Sequence, residues 1–71
     1  MSKENAKKIL DLALKQGAEQ DAMLEELKTN CSDEEFEEYR GMASRILGSL
    51  LFEIINPIVK KYPDLKPKEM D

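Results

Sequence analysis

The stretch SDEEF, residues 32–36, decides the fold, because it carries a complete helix-start signal. Ser32 and Glu35 form a capping box, in which the serine hydroxyl accepts from the amide of residue 35 and the glutamate side chain reaches back to the amide of residue 32. Cys31 and Phe36 occupy the two positions of a hydrophobic staple. The sequence therefore predicts that a helix begins at Asp33.

The residues after this start are apolar or aromatic at every third or fourth position, the spacing that places side chains on one helix face. The stripe consists of Phe36, Tyr39, Ala43, Ile46, Leu47, Leu50 and Ile54. Pro57 lacks a backbone N–H and disfavours helical geometry at Asn56. We therefore predict a helix over about 33–55 that kinks or stops at this point, with Asn56 as the N-cap of a short terminal turn.

A second apolar stripe precedes the capping box and predicts another helix, with Ser2 as its N-cap. Its members are Ala6, Ile9, Leu10, Ala13, Gly17, Leu24 and Leu27. Gly17 is able to end a helix as a C-terminal glycine cap, but the stripe resumes in phase after it. We predict one helix over about 3–28, with a possible bend at Gly17. The alternative is a compact monomer of three or four short helices, broken at Gly17.

These patterns predict an all-α fold, a helical hairpin of residues 3–28 and 33–55 with a short C-terminal helical turn. The chain holds three Gly, three Pro, no Trp and four Phe or Tyr residues, which is poor material for strands. We expect one helical domain over 1–62 and a flexible tail over 63–71. A chain of 71 residues buries only a modest core. Dimerisation of the hairpin into a four-helix bundle would enlarge it.

The net charge of −4 disfavours nucleic acid as a partner, because an acidic protein repels phosphates. The apolar tract over 46–59 is interrupted by Glu53 and by the Asn56-Pro57 pair, and a spanning helix needs roughly 20 mostly apolar residues. We expect no membrane insertion. The single cysteine and the charged N-terminal residues, which lack a signal-peptide core, lead us to expect a cytoplasmic location.

No residue pattern in the chain indicates catalysis, a metal or a cofactor. The acidic run over 33–38 stabilises the first turns of a helix and lacks the alternating spacing of a calcium loop. Cys31 precedes a helix N-terminus, which lowers a thiol pKa, but the chain has no histidine to serve as its base. We therefore expect a protein that is not an enzyme and that holds no cofactor or metal.

The helix after residue 33 carries more apolar surface than one face accommodates. A second set of positions falls off the main stripe and combines small residues with apolar ones. We predict that this set is an interface: Gly41, Ser44, Gly48, Phe52, Ile55 and Val59. The alternative is that both faces pack inside one monomer, around the first helix and the terminal turn.

Together these features favour a non-catalytic, acidic protein–protein interaction module or accessory subunit, which forms a homodimer and binds a further protein. Two other classes remain as alternatives. One is a regulatory nucleic-acid-binding protein, for which the five lysines at positions 3, 7, 8, 60 and 61 are too few unless folding gathers them. The other is a small-ligand carrier or enzyme whose site forms between chains.

Overall fold

Two long antiparallel helices make up the computed structural model, which describes residues 1–68. Helix α1 spans Lys3–Asn30 and helix α2 spans Asp33–Ser49. The second helix continues as a π-helical segment, Leu50–Ile55, and then as α3, Asn56–Lys61. A 3-10 turn, Pro63–Leu65, follows. No strand occurs within residues 1–68, so the predicted all-α class and the hairpin of two long helices are confirmed.

Side-chain caps fix the start of both long helices. The amide of Asn5 donates to Ser2 Oγ at 3.1 Å, and the amide of Glu35 donates to Ser32 Oγ at 3.2 Å. The Ser32 hydroxyl donates in turn to Glu35 Oε1 at 3.2 Å. The predicted start at Asp33 is confirmed, although Glu35 binds the serine hydroxyl in place of the backbone amide of Ser32.

Helix α1 is continuous through Gly17, which confirms the single first helix and excludes a break there. Gly17 lies against the second helix: a Cβ atom added to it would stand 3.7 Å from Leu47 Cδ2. Nearer the interhelical loop, the Tyr39 hydroxyl donates to Gln20 Oε1 and connects the two helices. Gly17 is therefore a point of contact between the two helices.

The core is small and lies toward the end of the hairpin where the two termini meet. Ala6, Leu10 and Ala13 of α1 are buried against two isoleucines of the second helix, Ile55 and Ile58. Half-buried side chains surround this cluster: Leu14, Leu50, Ile54, Val59, Tyr62 and Leu65. Ala43 is buried on its own, nearer the loop between the helices. One layer of contact between two helices thus supplies the interior.

The second helix does not stop at Asn56-Pro57, which corrects the predicted boundary. Asn56 has helical angles, φ −61° and ψ −46°, and so is not an N-cap. Its amide donates to the carbonyl of Leu51, five residues back, which defines a π turn. The α-helical bonding pattern is thus already interrupted before Pro57, and the wide turn accommodates a residue that lacks an N–H.

The π turn also changes which residues face the core. One extra residue in a turn delays all later side chains by about 100° relative to an α-helix. Ile55, which an α-helix would place at the edge of the stripe, is only 8% exposed, whereas the predicted stripe residue Ile54 is half-buried. Ile58 and Tyr62 follow Ile55 on the core side. The sequence pattern predicts the wrong face for this part of the helix because it assumes α-helical geometry throughout.

The two ends of the chain contact each other. Lys3 forms an ion pair with Asp64, and the Tyr62 hydroxyl donates to the carbonyl of Met1 at 2.8 Å. Leu65 packs against the core. The first residues of the predicted tail are therefore held against the hairpin, whereas residues 69–71 of that tail lie outside the described part of the chain.

Candidate interaction surface

The outward side of the second helix, formed by α2 and the π-helical segment, is the candidate site, and we call the surface formed by Gly41, Ser44, Gly48 and Phe52 the outer face. Phe52 is 69% exposed, one of the two most exposed large apolar side chains among residues 1–68. A Cβ atom added at Gly41 or Gly48 would meet no atom within 4 Å. The outer face is thus open to solvent within the single chain.

Two of the six residues predicted for the interface lie elsewhere. Ile55 belongs to the buried cluster and Val59 packs against it. The π turn is the physical reason, because it rotates both side chains away from Phe52 and toward α1. The predicted surface is therefore reduced to four residues in the monomer, and the alternative of packing inside the chain holds for Ile55 and Val59.

A shallow depression of about 460 Å³ lies on the outer face, and charged residues border it. It is lined by Ser44, Arg45, Gly48, Ser49, Phe52 and Glu53. Within residues 1–68, neither Arg45 nor Glu53 forms an ion pair, although Glu37 and Arg40 on the same helix pair at 2.7 Å. That pair holds the pKa of Glu37 below its usual value through the hydrogen bond from Arg40. The apolar surface around Phe52 is thus bordered by one unpaired positive and one unpaired negative charge.

A second apolar region lies in a groove between the two helices. Ile46 is 48% exposed although its position on the main stripe predicted burial. With Leu50 it lines a groove of about 320 Å³ whose other members are polar residues of α1: Gln16, Glu19 and Gln20. Two helices contact along a single seam, so no third element covers this side of the stripe. Periodicity identified the residue, but it gave no information on how many helices would surround it.

The positive and negative charges of the chain lie at different ends of the folded molecule, a feature that the net charge of the sequence did not indicate. Residues 1–15 and 56–68 carry eight lysines and three acidic residues, whereas residues 16–40 carry nine acidic and two basic residues. The Lys3–Asp64 ion pair holds the two lysine-rich segments together at one end of a molecule 44 Å long. Folding therefore gathers the lysines after all, into a basic end opposite an acidic end that contains the interhelical loop.

Cys31 lies in this loop and is half-buried. Its thiol donates to the carbonyl of Leu27 at 3.0 Å. The pKa of Cys31 is raised, first by desolvation and then by the nearby carboxylates of Glu35 and Asp33. Desolvation and the nearby carboxylates thus act in the direction opposite to that of the helix N-terminus, which lowers a thiol pKa.

The acidic run after Cys31 does not assemble a metal site in the described residues. Within residues 1–68, no three side chains of His, Cys, Asp or Glu come close enough together to hold an ion. The carboxylates of the first turn of α2 instead lie near the backbone amides of its N-terminus, where negative charge is stabilising.

Because the second helix continues through Pro57, its apolar part is longer than the sequence pattern suggested. The helical stretch 33–61 is long and apolar enough to cross a membrane when judged by length and composition alone. Core helices of soluble proteins pass the same test. The stretch also carries Arg45 and Glu53 in its middle, and charged side chains at the centre of a bilayer are costly. The expectation of no membrane insertion stays a prediction.

The chain was compared with protein-family models, with curated proteins and with solved structures, and no significant match was found in any of the three.

Proposed function

We propose that this protein is a non-catalytic interaction module that acts as a homodimer, with the outer face of α2 as its self-association surface. The observation that carries the proposal is the exposure of Phe52 about one turn from Gly48, with open space in front of both Gly48 and Gly41. Small residues next to a large apolar one allow a second helix to approach closely and to bury the large side chain. The homodimer would also be the unit that binds a further protein as an accessory subunit.

The small size of the core supports the same proposal. Among the described residues only six apolar side chains are buried, while eight large apolar side chains are exposed. Each fully buried aliphatic or aromatic side chain contributes about 1.5–3 kcal/mol relative to an exposed one. Covering part of this surface in a dimer would therefore stabilise a chain whose single hairpin leaves much apolar area in water.

Sedimentation equilibrium over a range of concentrations tests the proposal directly. The wild-type protein should sediment as a dimer, and Phe52→Ser should shift it toward monomer. Leu12→Ser is the matched control, since Leu12 is also exposed but lies on α1. A wild-type protein that stays monomeric at high concentration would refute the homodimer, as would equal effects of the two substitutions.

Gly48→Leu provides a second test in which effects on the monomer and on the dimer have opposite signs. In the monomer the new side chain enters open space, and replacing glycine improves helix propensity by roughly 0.8 kcal/mol. In the proposed dimer it blocks the approach of the second helix. We expect loss of the dimer together with an unchanged or higher melting temperature at low concentration. A variant that keeps its dimeric mass would show that the outer face is not the interface.

A further inference from the structure

The segregation of charge points to the geometry of self-association, an inference that rests on the proposed homodimer. The basic end carries eight lysines and the acidic end nine carboxylates, on a rod with extents of 44 × 20 × 18 Å. Two such rods side by side in a parallel arrangement bring like ends together. We propose that the occupant of the outer face is a second copy of this chain lying antiparallel, so that each basic end meets an acidic end.

The residues around the outer face fit this arrangement. Arg45 and Glu53 lie four residues before and four residues after Ser49. A two-fold axis near Gly48 and Ser49 brings Arg45 of each copy opposite Glu53 of the other. With the axis at Ser49, Phe52 lies two residues, about 3 Å along the helix, from the level of Ser44 in the other copy. In a parallel pair each residue instead faces its own copy, so Arg45 meets Arg45 and Glu53 meets Glu53. Two mutual ion pairs thus replace two like-charge contacts.

The area available is sufficient for a specific dimer. Standard interfaces bury about 800 Å² per partner, which is about 15% of the 5428 Å² surface of this chain. One long side of the molecule, 44 by 20 Å, offers that area. The pairs Arg45–Glu53 lie near the middle of that side, so an antiparallel dimer overlaps along its whole length and brings both pairs of opposite ends together.

The single cysteine allows the orientation to be measured. A nitroxide label on Cys31 marks the acidic end of each copy, and pulsed electron–electron resonance measures the distance between the two labels. In the antiparallel dimer, 16 residues of helix, from Asp33 to Ser49, separate the acidic end of each copy from the two-fold axis. At 1.5 Å per residue this is about 24 Å, which places the labels about 48 Å apart. In a parallel dimer the labels lie within about 20 Å, because packed helix axes are 8–10 Å apart.

A second pair of labels controls for any disturbance by the first. In the variant Cys31→Ser/Lys60→Cys the label marks the basic end, and its two copies should again be far apart. A mixture of protein labelled at position 31 with protein labelled at position 60 should show a short distance that neither sample shows alone. A short distance within either single sample, in protein that sediments as a dimer, would overturn the antiparallel geometry and leave the homodimer standing. A protein that sediments as a monomer would refute the homodimer itself.

Charge reversal gives an independent readout. Arg45→Glu and Glu53→Arg should each weaken the dimer about tenfold, because each places like charges opposite one another twice. The double variant Arg45→Glu/Glu53→Arg should regain the wild-type dissociation constant. In a parallel dimer both single variants and the double variant would leave that constant unchanged, since like would still face like. This result would overturn the proposal.

Salt should also weaken the antiparallel dimer, because dissolved ions screen the attraction between opposite ends. At 0.1 M salt the Debye length is about 10 Å. We expect the dissociation constant of the dimer to rise when the NaCl concentration is raised from about 20 to about 300 mM. A fall in that constant would indicate that like ends are adjacent. A dimer that appears only with anionic lipid vesicles would assign the basic end to a membrane surface and refute the proposed occupant.

Discussion

The ammonium group of Lys3 is bound to the carboxylate of Asp64, although 61 positions separate the two residues in the chain. One is the first residue of α1 and the other belongs to the 3-10 turn after α3. The contact closes the open end of the hairpin, where the helix termini would otherwise fray. The loop at residues 31–32 closes the opposite end.

The Lys3–Asp64 pair makes the closure of this end dependent on pH. The hydrogen bond from Lys3 is the main cause that lowers the pKa of Asp64 in the folded protein. A lowered pKa stabilises the fold above the unfolded-state value of about 3.9, and this contribution is lost as the pH falls through the folded-state pKa. We expect the protection factors of the Leu65 and Lys66 amides, which are corrected for the intrinsic exchange rate at each pH, to fall at acidic pH before those in the middle of α1. Asp64→Asn should lower the protection factors of these two amides already at neutral pH and remove their fall at acidic pH. Identical profiles for variant and wild type would show that the pair does not secure the turn.

Gly17→Ala should stabilise the protein. The helix propensity gained is roughly 0.8–1 kcal/mol, and the new methyl group would lie in ordinary van der Waals contact with Leu47. Gly41→Ala is the matched control, because it gains the same propensity but has no neighbour within 4 Å. Thermal unfolding at low protein concentration should give a larger rise in melting temperature for Gly17→Ala. A loss of stability at position 17 would mean that the two helices require a closer approach there.

Ser32→Ala should lower the free energy of unfolding by about 1 kcal/mol, the usual loss when a side-chain cap is removed. The hydroxyl accepts from the amide of Glu35, which lies in the first turn of α2, where backbone amides have no acceptor within the helix. Ser49→Ala is the control, since Ser49 makes no side-chain cap. Urea unfolding followed by circular dichroism measures both variants. Equal stability of Ser32→Ala and wild type would show that the start of α2 does not depend on this cap.

Pro57→Ala should keep the fold and the helix content. The backbone at Asn56 is already helical, so alanine fits the existing geometry and restores one donor. The gain should be well below the roughly 3 kcal/mol that a proline costs in a regular helix, because the π turn already accommodates it. Circular dichroism and the melting temperature provide the measurement. A large loss of helix would demonstrate that the proline itself holds α3 in place.

Local sequence signals were enough to predict those parts of the fold that depend on residues close together in the sequence. The cap at Ser32 and the continuity of α1 through Gly17 could both be predicted, because the pattern of hydrogen bonding and periodicity is contained within a few turns. The burial of Ile55 could not be predicted in this way. Its burial depends on a π turn, and no residue type in 50–55 distinguishes that turn from an α-helix.

The surface was predicted only in part for a related reason. Gly41, Ser44 and Phe52 are exposed and Gly48 is half-buried on one side of the second helix, because the helical phase before the π turn is regular. The exposure of Ile46 depends on the number of helices around it, and the basic end depends on the contact between chain termini. Both features depend on tertiary contacts, which the spacing of apolar residues in the sequence does not reveal.

The π turn at Leu50–Ile55 means that the second helix is one residue longer than its core requires. If Phe52 were deleted, a regular α-helix would place Ile55, Ile58 and Tyr62 in line with Leu47. This is the face that the three residues already occupy. Combined with Pro57→Ala, which removes the need for a wide turn, that deletion should leave the interior unchanged. A deletion one turn earlier would also rotate the residues between the deleted position and the π turn, Leu50 among them, away from the face that they occupy. Tolerance to a change in length is thus confined to one turn of this helix.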